Sequence, residues 1–274
     1  MTSLIDPKEF TEAVTELRSF FLSKNFYEVH TQNRLSILAA CEDPETVASY
    51  NYGGNIWPLP QTGQMWLEHE LLSNPSAEGF FCVSTSYRAE PNPVPGRHET
   101  IFPMFEFEMK GGIDKLMEME VDLLEHLGYD INRVKKEKYD SISARFSVDE
   151  LENHHEMQLY NETPTYFITH FPEHTSPFWN MKRNDEGTSN KVDVILSGHE
   201  TIGSAERESD KEKMRECFNT IMDGAYKNKL YELFGEERTN AELDEYLQFD
   251  FFERCGGGIG VSRLMRSMKT ENLI

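Results

Sequence analysis

Arg88 opens a stretch rich in charged and turn-forming residues, Tyr87-Arg-Ala-Glu-Pro-Asn-Pro-Val-Pro-Gly-Arg-His98, which runs on through Phe102 to Phe105-Glu-Phe-Glu108. Far along the chain stands a glycine cluster closed by another arginine, Gly256-Gly-Gly-Ile-Gly-Val-Ser-Arg263. An arginine, a proline-rich loop, the Arg97-His98 pair and a distant Gly–Arg segment are parts that can grip a triphosphate without a P-loop. Glycines such as Gly258 and Gly260 let a backbone approach a ligand closely, and Arg263 stands at the start of a helix, where N–H groups and the dipole favour phosphate. The alternative for the glycine run is a tight crossing of strands with no ligand. Between these segments Asp193 and Glu200 flank a short turn. Two carboxylates on paired strands can hold magnesium bound to triphosphate oxygens, though in a chain with 48 acidic residues such pairs also arise by chance.

The elements that must position these groups follow from periodicity. Phe10, Val14, Leu17, Phe20 and Phe21 predict an amphipathic helix over 7–24, followed by a strand at 27–31. Residues 64–72 read as helical. Residues 79–86 and 104–109 read as the two arms of a hairpin whose tip is the Pro-rich loop 91–96. A helix is expected over 113–128, another over 147–160, and a strand at 165–170. A polar turn at 184–190 leads to a strand at 191–197 with a partner near 200–204. One long charged helix spans 209–234, and a Gly-rich strand at 256–261 enters a final helix from Ser262. Arg133-Val-Lys-Lys-Glu-Lys138 reads as a solvated helix end. Such runs of strands with segregated helices predict an α+β fold: an antiparallel β-sheet flanked by helices.

Composition narrows the function classes. A chain of 274 residues with 38% hydrophobic residues and no composition break is expected to form a single domain over 1–274. Cys41, Cys82, Cys217 and Cys255 lack metal-binding or disulfide spacing, which fits the reducing cytoplasm. No signal peptide and no apolar run of membrane-spanning length is present, so no membrane partner is expected. With 27 basic against 48 acidic residues the net charge is −21, and nucleic-acid affinity comes largely from neutralising phosphates. No stable tRNA binding is therefore expected. The isolated histidines, and His154 and His155, read as surface or hydrogen-bonded core residues.

The phosphate-gripping segments resemble motifs 2 and 3 of the class II aminoacyl-tRNA synthetases, in the aspartyl, asparaginyl and lysyl branch, whose pattern is Arg-x-Glu, a variable loop, Arg-His and then Phe. Phe20-Phe-Leu-Ser-Lys-Asn-Phe-Tyr-Glu-Val-His-Thr31 is similar to motif 1, and Gln61-Thr-Gly-Gln-Met-Trp-Leu-Glu68 to the amino-acid loop of the asparaginyl enzymes. Phe171-Pro and Pro177-Phe178 resemble a connector. Asp193-Val-Ile-Leu-Ser-Gly-His-Glu200 and Gly203-Ser-Ala-Glu-Arg207 resemble the strand pair before motif 3. The resemblance runs from about residue 10 to the end. It implies ATP and Mg2+ as cofactors, a homodimer, and a role for each matching residue. Arg88 would hold the α-phosphate and the attacking carboxylate, where a bidentate cation stabilises the charge-rich transition state. Glu90 would lie by the adenine, Phe102 would stack on it, Arg97 and His98 would fold over the γ-phosphate, and Arg263 would face the nucleotide. Asp193 and Glu200 match metal ligands. Arg207 matches the arginine that binds the substrate side-chain oxygen, Glu68 a glutamate that accepts from a side-chain amide, and Gln61 and Gln64 would line the same pocket. Three departures stand out. Leu67 replaces the lysine of the aspartyl enzymes, Ile101-Phe102-Pro103 replaces the usual Glu-Phe, and Gln32 stands where motif 1 usually has proline.

Motif 1 begins within 30 residues, so no OB-fold anticodon module is expected. An activating core with an acidic surface resembles the asparagine synthetases built on the class II core, whose motif 3 also has serine before the arginine. That resemblance implies aspartate activated as an acyl-adenylate and ammonia displacing AMP. The alternatives are an asparaginyl-type paralogue passing its adenylate to tRNA or another amine, and a non-catalytic regulatory paralogue.

Overall fold

Asp6 starts the first helix: its carboxylate accepts from the N–H groups of Lys8 and Glu9, and Pro7 sits in the first turn, so α1 runs Pro7–Ser23. The computed structural model describes residues 5–32, 35, 37, 44–92, 99–175 and 178–274. In chain order the further elements are β1 (Tyr27–Glu28), β2 (Ser49–Tyr52), β3 (Asn55–Pro58), α2 (Gln64–Ser73), β4 (Gly79–Tyr87), β5 (Ile101–Lys110), α3 (Ile113–His126), β6 (Val134–Lys138), α4 (Tyr139–Phe146) and α5 (Asn153–Tyr160). They are followed by β7 (Thr165–Pro172), β8 (Thr188–Leu196), β9 (His199–Glu206), α6 (Lys211–Thr220), α7 (Ala225–Phe234), α8 (Glu236–Tyr246), β10 (Arg254–Gly260) and α9 (Val261–Thr270).

Among the described residues these strands form an eight-stranded sheet in the order β1-β4-β5-β10-β9-β8-β7-β6, antiparallel except for its outermost pairs, β1 with β4 and β6 with β7. The α+β expectation is met. Alternation along each strand divides the residues between two faces. Phe105 and Phe107 of β5, Cys255 and Ile259 of β10, Ile202 of β9, and Val192 and Val194 of β8 point into one core, which α1, α3 and α9 cover with Leu17, Phe21, Leu116, Leu123 and Leu264. The opposite face carries Met104, Glu106 and Glu108 of β5 beside Gly256, Gly258 and Gly260 of β10, in register. A second apolar cluster of α6, α7 and α8 with Met65, Leu72 and Trp179 closes one end of that face.

Several expectations needed correction. Residues 134–138 form an edge strand rather than a helix end, because Val134 and its neighbours pair with Thr165–Thr169. The helix expected over 147–160 begins only at Asn153, since Ser147 adopts φ 58 and stops α4. The long helix at 209–234 breaks where Met222 and Asp223 adopt positive φ before Gly224. The hairpin β2–β3, turning on Gly53 and Gly54 at φ 63 and 82, and the helices α4 and α8 were not foreseen. No helix among the described residues is long and apolar enough to cross a membrane.

Candidate active site

The glycines of β10 leave a trough on the sheet's second face, and a cavity of about 250 Å³ opens over it. Its walls include Gln61, Gln64, Arg88, Glu90, Phe102, Glu106, Glu200, Arg207, Gly258, Gly260 and Arg263. Residues expected from four distant segments therefore meet at one place. Arg97 and His98 lie outside the described residues, as do Cys41, Pro177 and loop positions 93–96.

Arg88 follows β4 directly, and its N–H donates to the Thr100 carbonyl at 2.8 Å across the hairpin. Its guanidinium carbon sits 5.5 Å from the Phe102 ring centroid, a cation–π distance that fixes the side chain against the return strand. The Arg88 Nε is buried and has no hydrogen-bond partner among the described residues. Arg88 lines the cavity, so its guanidinium is a cation that an anion bound there can meet. At the far wall Arg263, in the first turn of α9, donates to the Glu200 carbonyl at 2.6 Å. The adjacent Ser262 Oγ is buried without a partner among the described residues. α9 starts at Gly260 with no side-chain cap, so its first N–H groups also face this wall.

Asp193 and Glu200 converge for a reason visible in the ladder. A bulge between Val194 and Ile195 places Ile195 opposite Glu200 and turns the glutamate onto the face carrying Asp193. Gly203 lies between them: a Cβ there would stand 3.3 Å from Glu200 Oε1 and 3.7 Å from Asp193 Oδ1. Asp193 Oδ2 accepts from Lys191 at 2.8 Å, while Oδ1 is buried with no partner among the described residues. Burial pushes the Asp193 carboxyl up to about 7, with Lys191 opposing and Glu200 reinforcing the rise. An orphaned carboxylate oxygen beside a second carboxylate fits a hard divalent cation. Among the described residues no group of three or more His, Cys, Asp or Glu side chains has metal-holding geometry, so water or phosphate oxygens would complete the shell.

The inner end of the cavity is built on charge. Glu106, buried on β5, accepts from Thr62 Oγ1, from Gly63 N at 2.9 Å and from Ser84 Oγ at 2.6 Å. Burial raises its carboxyl from the ordinary value, and those bonds and Arg88 oppose the rise. Arg207, 1% exposed, is the buried cation of the lining. It pairs with Glu108 at 3.2 Å and lies 3.8 Å from Glu68. Gln64 donates to Glu108 and to the Phe107 carbonyl. Gln61 donates to Thr46 Oγ1 at 3.1 Å.

Glu68 sits deeper than the other expected residues. It is fully buried and absent from the cavity wall. Its Oε2 accepts from Arg254 at 2.7 Å and from Tyr246 OH at 2.5 Å, and its Oε1 accepts from Asn180 at 2.8 Å. Burial would raise its carboxyl, but Arg254 and Arg207 overcome this and hold it below the ordinary value. These partners hold Glu68 beside Arg207, with Glu68 Oε1 3.8 Å from the Arg207 Nε. Arg254, Tyr246, Glu106 and Glu108 were given no role from sequence. The alternation Phe105-Glu-Phe-Glu108 was the available signal, because it puts two acids on one face of a strand whose other face is core.

A mostly antiparallel sheet carrying an Arg88–Phe102 wall, a glycine strand and an arginine-led helix defines the catalytic fold of class II synthetases. The chain matches tRNA synthetases class II (D, K and N) over residues 8–274 and belongs to that family. Asparaginyl-tRNA synthetase of Pyrococcus horikoshii complexed with asparaginyl-adenylate superposes with a TM-score of 0.76 at 21% identity over 95% of this chain. The Entamoeba histolytica asparaginyl enzyme, also with asparaginyl-adenylate, gives 0.78 at 16% over 97%. The aspartyl enzyme of the same organism gives 0.73 at 18% over 95%. The chain spans 64%, 64% and 54% of those three chains, respectively. No curated protein matches it.

Proposed function

We propose that this chain uses ATP to activate aspartate as an acyl-adenylate, and that ammonia then displaces AMP to give asparagine. One observation supports the reading above others: Arg88 and Arg207 line a single cavity, one beside Phe102 with an unpartnered donor, the other buried among acids. The two carboxylates of aspartate suit two such cations. One is held by Arg207 while the other is presented toward Arg88, which stabilises the negative charge that builds on the α-phosphate as the carboxylate attacks. Phe102 offers a face for adenine stacking, and Arg263 with the start of α9 offers donors to the outer phosphates. Glu106 is placed to receive the substrate ammonium. Asp193 and Glu200 would hold magnesium, which supplies charge neutralisation on the triphosphate. The net charge of −21 supports a small acceptor over a polyanion.

The second reading, an asparaginyl-type enzyme transferring its adenylate to tRNA or another amine, is favoured by the adenylate complexes among the similar structures. Incubation with ATP, magnesium, aspartate and ammonium separates the two readings. Ammonium-dependent asparagine and AMP support the ligase reading. Adenylate formed from asparagine alone, together with salt-sensitive tRNA binding, contradicts it.

A further inference from the structure

At the inner end of the cavity four buried charged groups from four different parts of the chain meet, with Arg207 in the lining itself. Arg207 follows β9, Arg254 opens β10, Glu68 comes from α2 and Glu108 from β5, and all four are at most 1% exposed. Tyr246 of α8, Gln64 of α2 and Asn180 complete the hydrogen bonds, and the Cys255 thiol lies near Glu108. Glu68 is committed to Arg254 by two N–H bonds, from Nε at 3.1 Å and Nη2 at 2.7 Å. Arg254 also donates to the Glu208 carbonyl at 3.0 Å, which ties it to the backbone just after Arg207. Glu108 has looser bonds to Arg207, 3.2 Å from Nη2 and 3.4 Å from Nε. Gly256 makes room for this position of Glu108, whose Oε2 overlaps the place where a Cβ at residue 256 would stand.

The charges of this set balance only when both glutamates are ionised. A ligand carboxylate arriving at Arg207 adds a negative charge to a buried, neutral cluster, whereas a ligand amide adds none. Burial of an uncompensated charge is costly, and the usual escape is protonation of a neighbour. Glu68 cannot supply that escape, since Arg254, Tyr246 and Asn180 hold its charge. Glu108 can: burial pushes its carboxyl up to about 7, with Arg207 and Arg254 pulling down and Glu68 pushing further up.

Building on the reading in which Arg207 holds one end of the amino acid, we propose that Glu108 is a proton-coupled positioning residue. It takes up a proton when a ligand carboxylate docks on Arg207 and stays ionised when an amide docks there. Selectivity for a carboxylate over an amide is then linked to pH. Above about pH 7, affinity for aspartate falls by up to tenfold per pH unit, and affinity for an uncharged side chain does not. Substitution of Glu108 by Gln removes the titrating group and leaves Glu68, 3.8 Å away, as a charged neighbour of Arg207.

Calorimetric titration of the full chain at pH 8 tests this, with L-aspartate and with L-asparagine, whose side chain is an amide, each in phosphate and in Tris. The two buffers differ in ionisation enthalpy, so proton uptake appears as a difference in apparent binding enthalpy. The expected result is uptake of most of one proton with aspartate and little with asparagine, and loss of the buffer difference in Glu108→Gln while aspartate still binds. A merely structural role would change affinity without changing the buffer difference. Aspartate binding with no proton uptake, or with uptake undiminished in the variant, overturns the coupling and leaves the aspartate reading standing. Absence of aspartate binding in both buffers overturns both.

Discussion

Arg88 and Arg207 are the same residue type in different settings, and the setting separates their tasks. Arg88 is half-buried on an aromatic ring with an unpartnered donor; Arg207 is buried with its partners already in place. Asp193 and Glu200 meet over Gly203, and if they share one cation they act as a unit. The double substitution Asp193→Asn with Glu200→Gln is then expected to lower magnesium-dependent activity little more than the worse single change. Additive losses, read as initial rates across a magnesium titration, would argue for two independent roles. Arg88, Arg207, Asp193 and Glu200 could be chosen as candidates from residue type and order, and Arg88, Arg207 and Glu200 do line one cavity. Glu68 was legible as a residue of the site but not as a buried one. Its position is set by Arg254, which lies 186 positions away in sequence.

Strand β10 shows what a glycine run does at the level of an element. Sequence left two meanings open, close approach of a ligand or a tight strand crossing, and both hold at different positions. Gly256 and Gly257 make room for protein: a Cβ at Gly256 would overlap Glu108 Oε2 and the Phe107 carbonyl, and one at Gly257 would lie 2.7 Å from the Gly203 carbonyl. Gly258 lines the cavity, and a Cβ there meets mainly the flexible Met104 Cε, at 2.6 Å. Gly256→Ala is accordingly expected to destabilise the protein by about 2–4 kcal/mol through overpacking and displacement of Glu108, while Gly258→Ala costs about 1 kcal/mol or less. Denaturant midpoints of the two variants check this, and equal losses would mean that the trough is not packed as described. The bulge that turns Glu200 inward had no sequence signal, since it depends on the register against β8. The break at Met222–Gly224 was hidden because only Gly224 favours positive φ, and its two predecessors adopt it under the packing of α6 on α7.

Across the whole molecule the sheet separates an apolar core from a charged face, yet carboxyls are buried on the core side too, Glu206 against the start of α3 and Glu120 within it. Glu120 of α3 is wholly buried, and burial, with Asp193 adding, pushes its carboxyl up to about 8, while Ser204 and Lys136 oppose the rise. A folded-state value raised above the ordinary 4.5 contributes stability that is complete below about pH 4.5 and is lost as pH rises through 8. Glu120→Gln removes that slope. The variant should be more stable than the parent at pH 8.5 by about 3–5 kcal/mol relative to the difference at low pH, as read by denaturant unfolding at several pH values. Parallel pH profiles of parent and variant would show that Glu120 does not titrate in this range. The layered sheet and its antiparallel hairpins could be read from period-two patterning, but a buried acid on an amphipathic helix could not, because its neighbours come from β6, β8 and β9.

Amino-acid activation on this sheet is read directly as amino-acid-dependent exchange of pyrophosphate into ATP. With aspartate and magnesium, exchange is expected in the parent protein and is expected to fall in Arg88→Ala by about 2–4 kcal/mol of transition-state stabilisation, with the fold retained. Absence of exchange with both aspartate and asparagine would contradict activation of either amino acid, and full exchange in a folded Arg88→Ala variant would remove Arg88 from it.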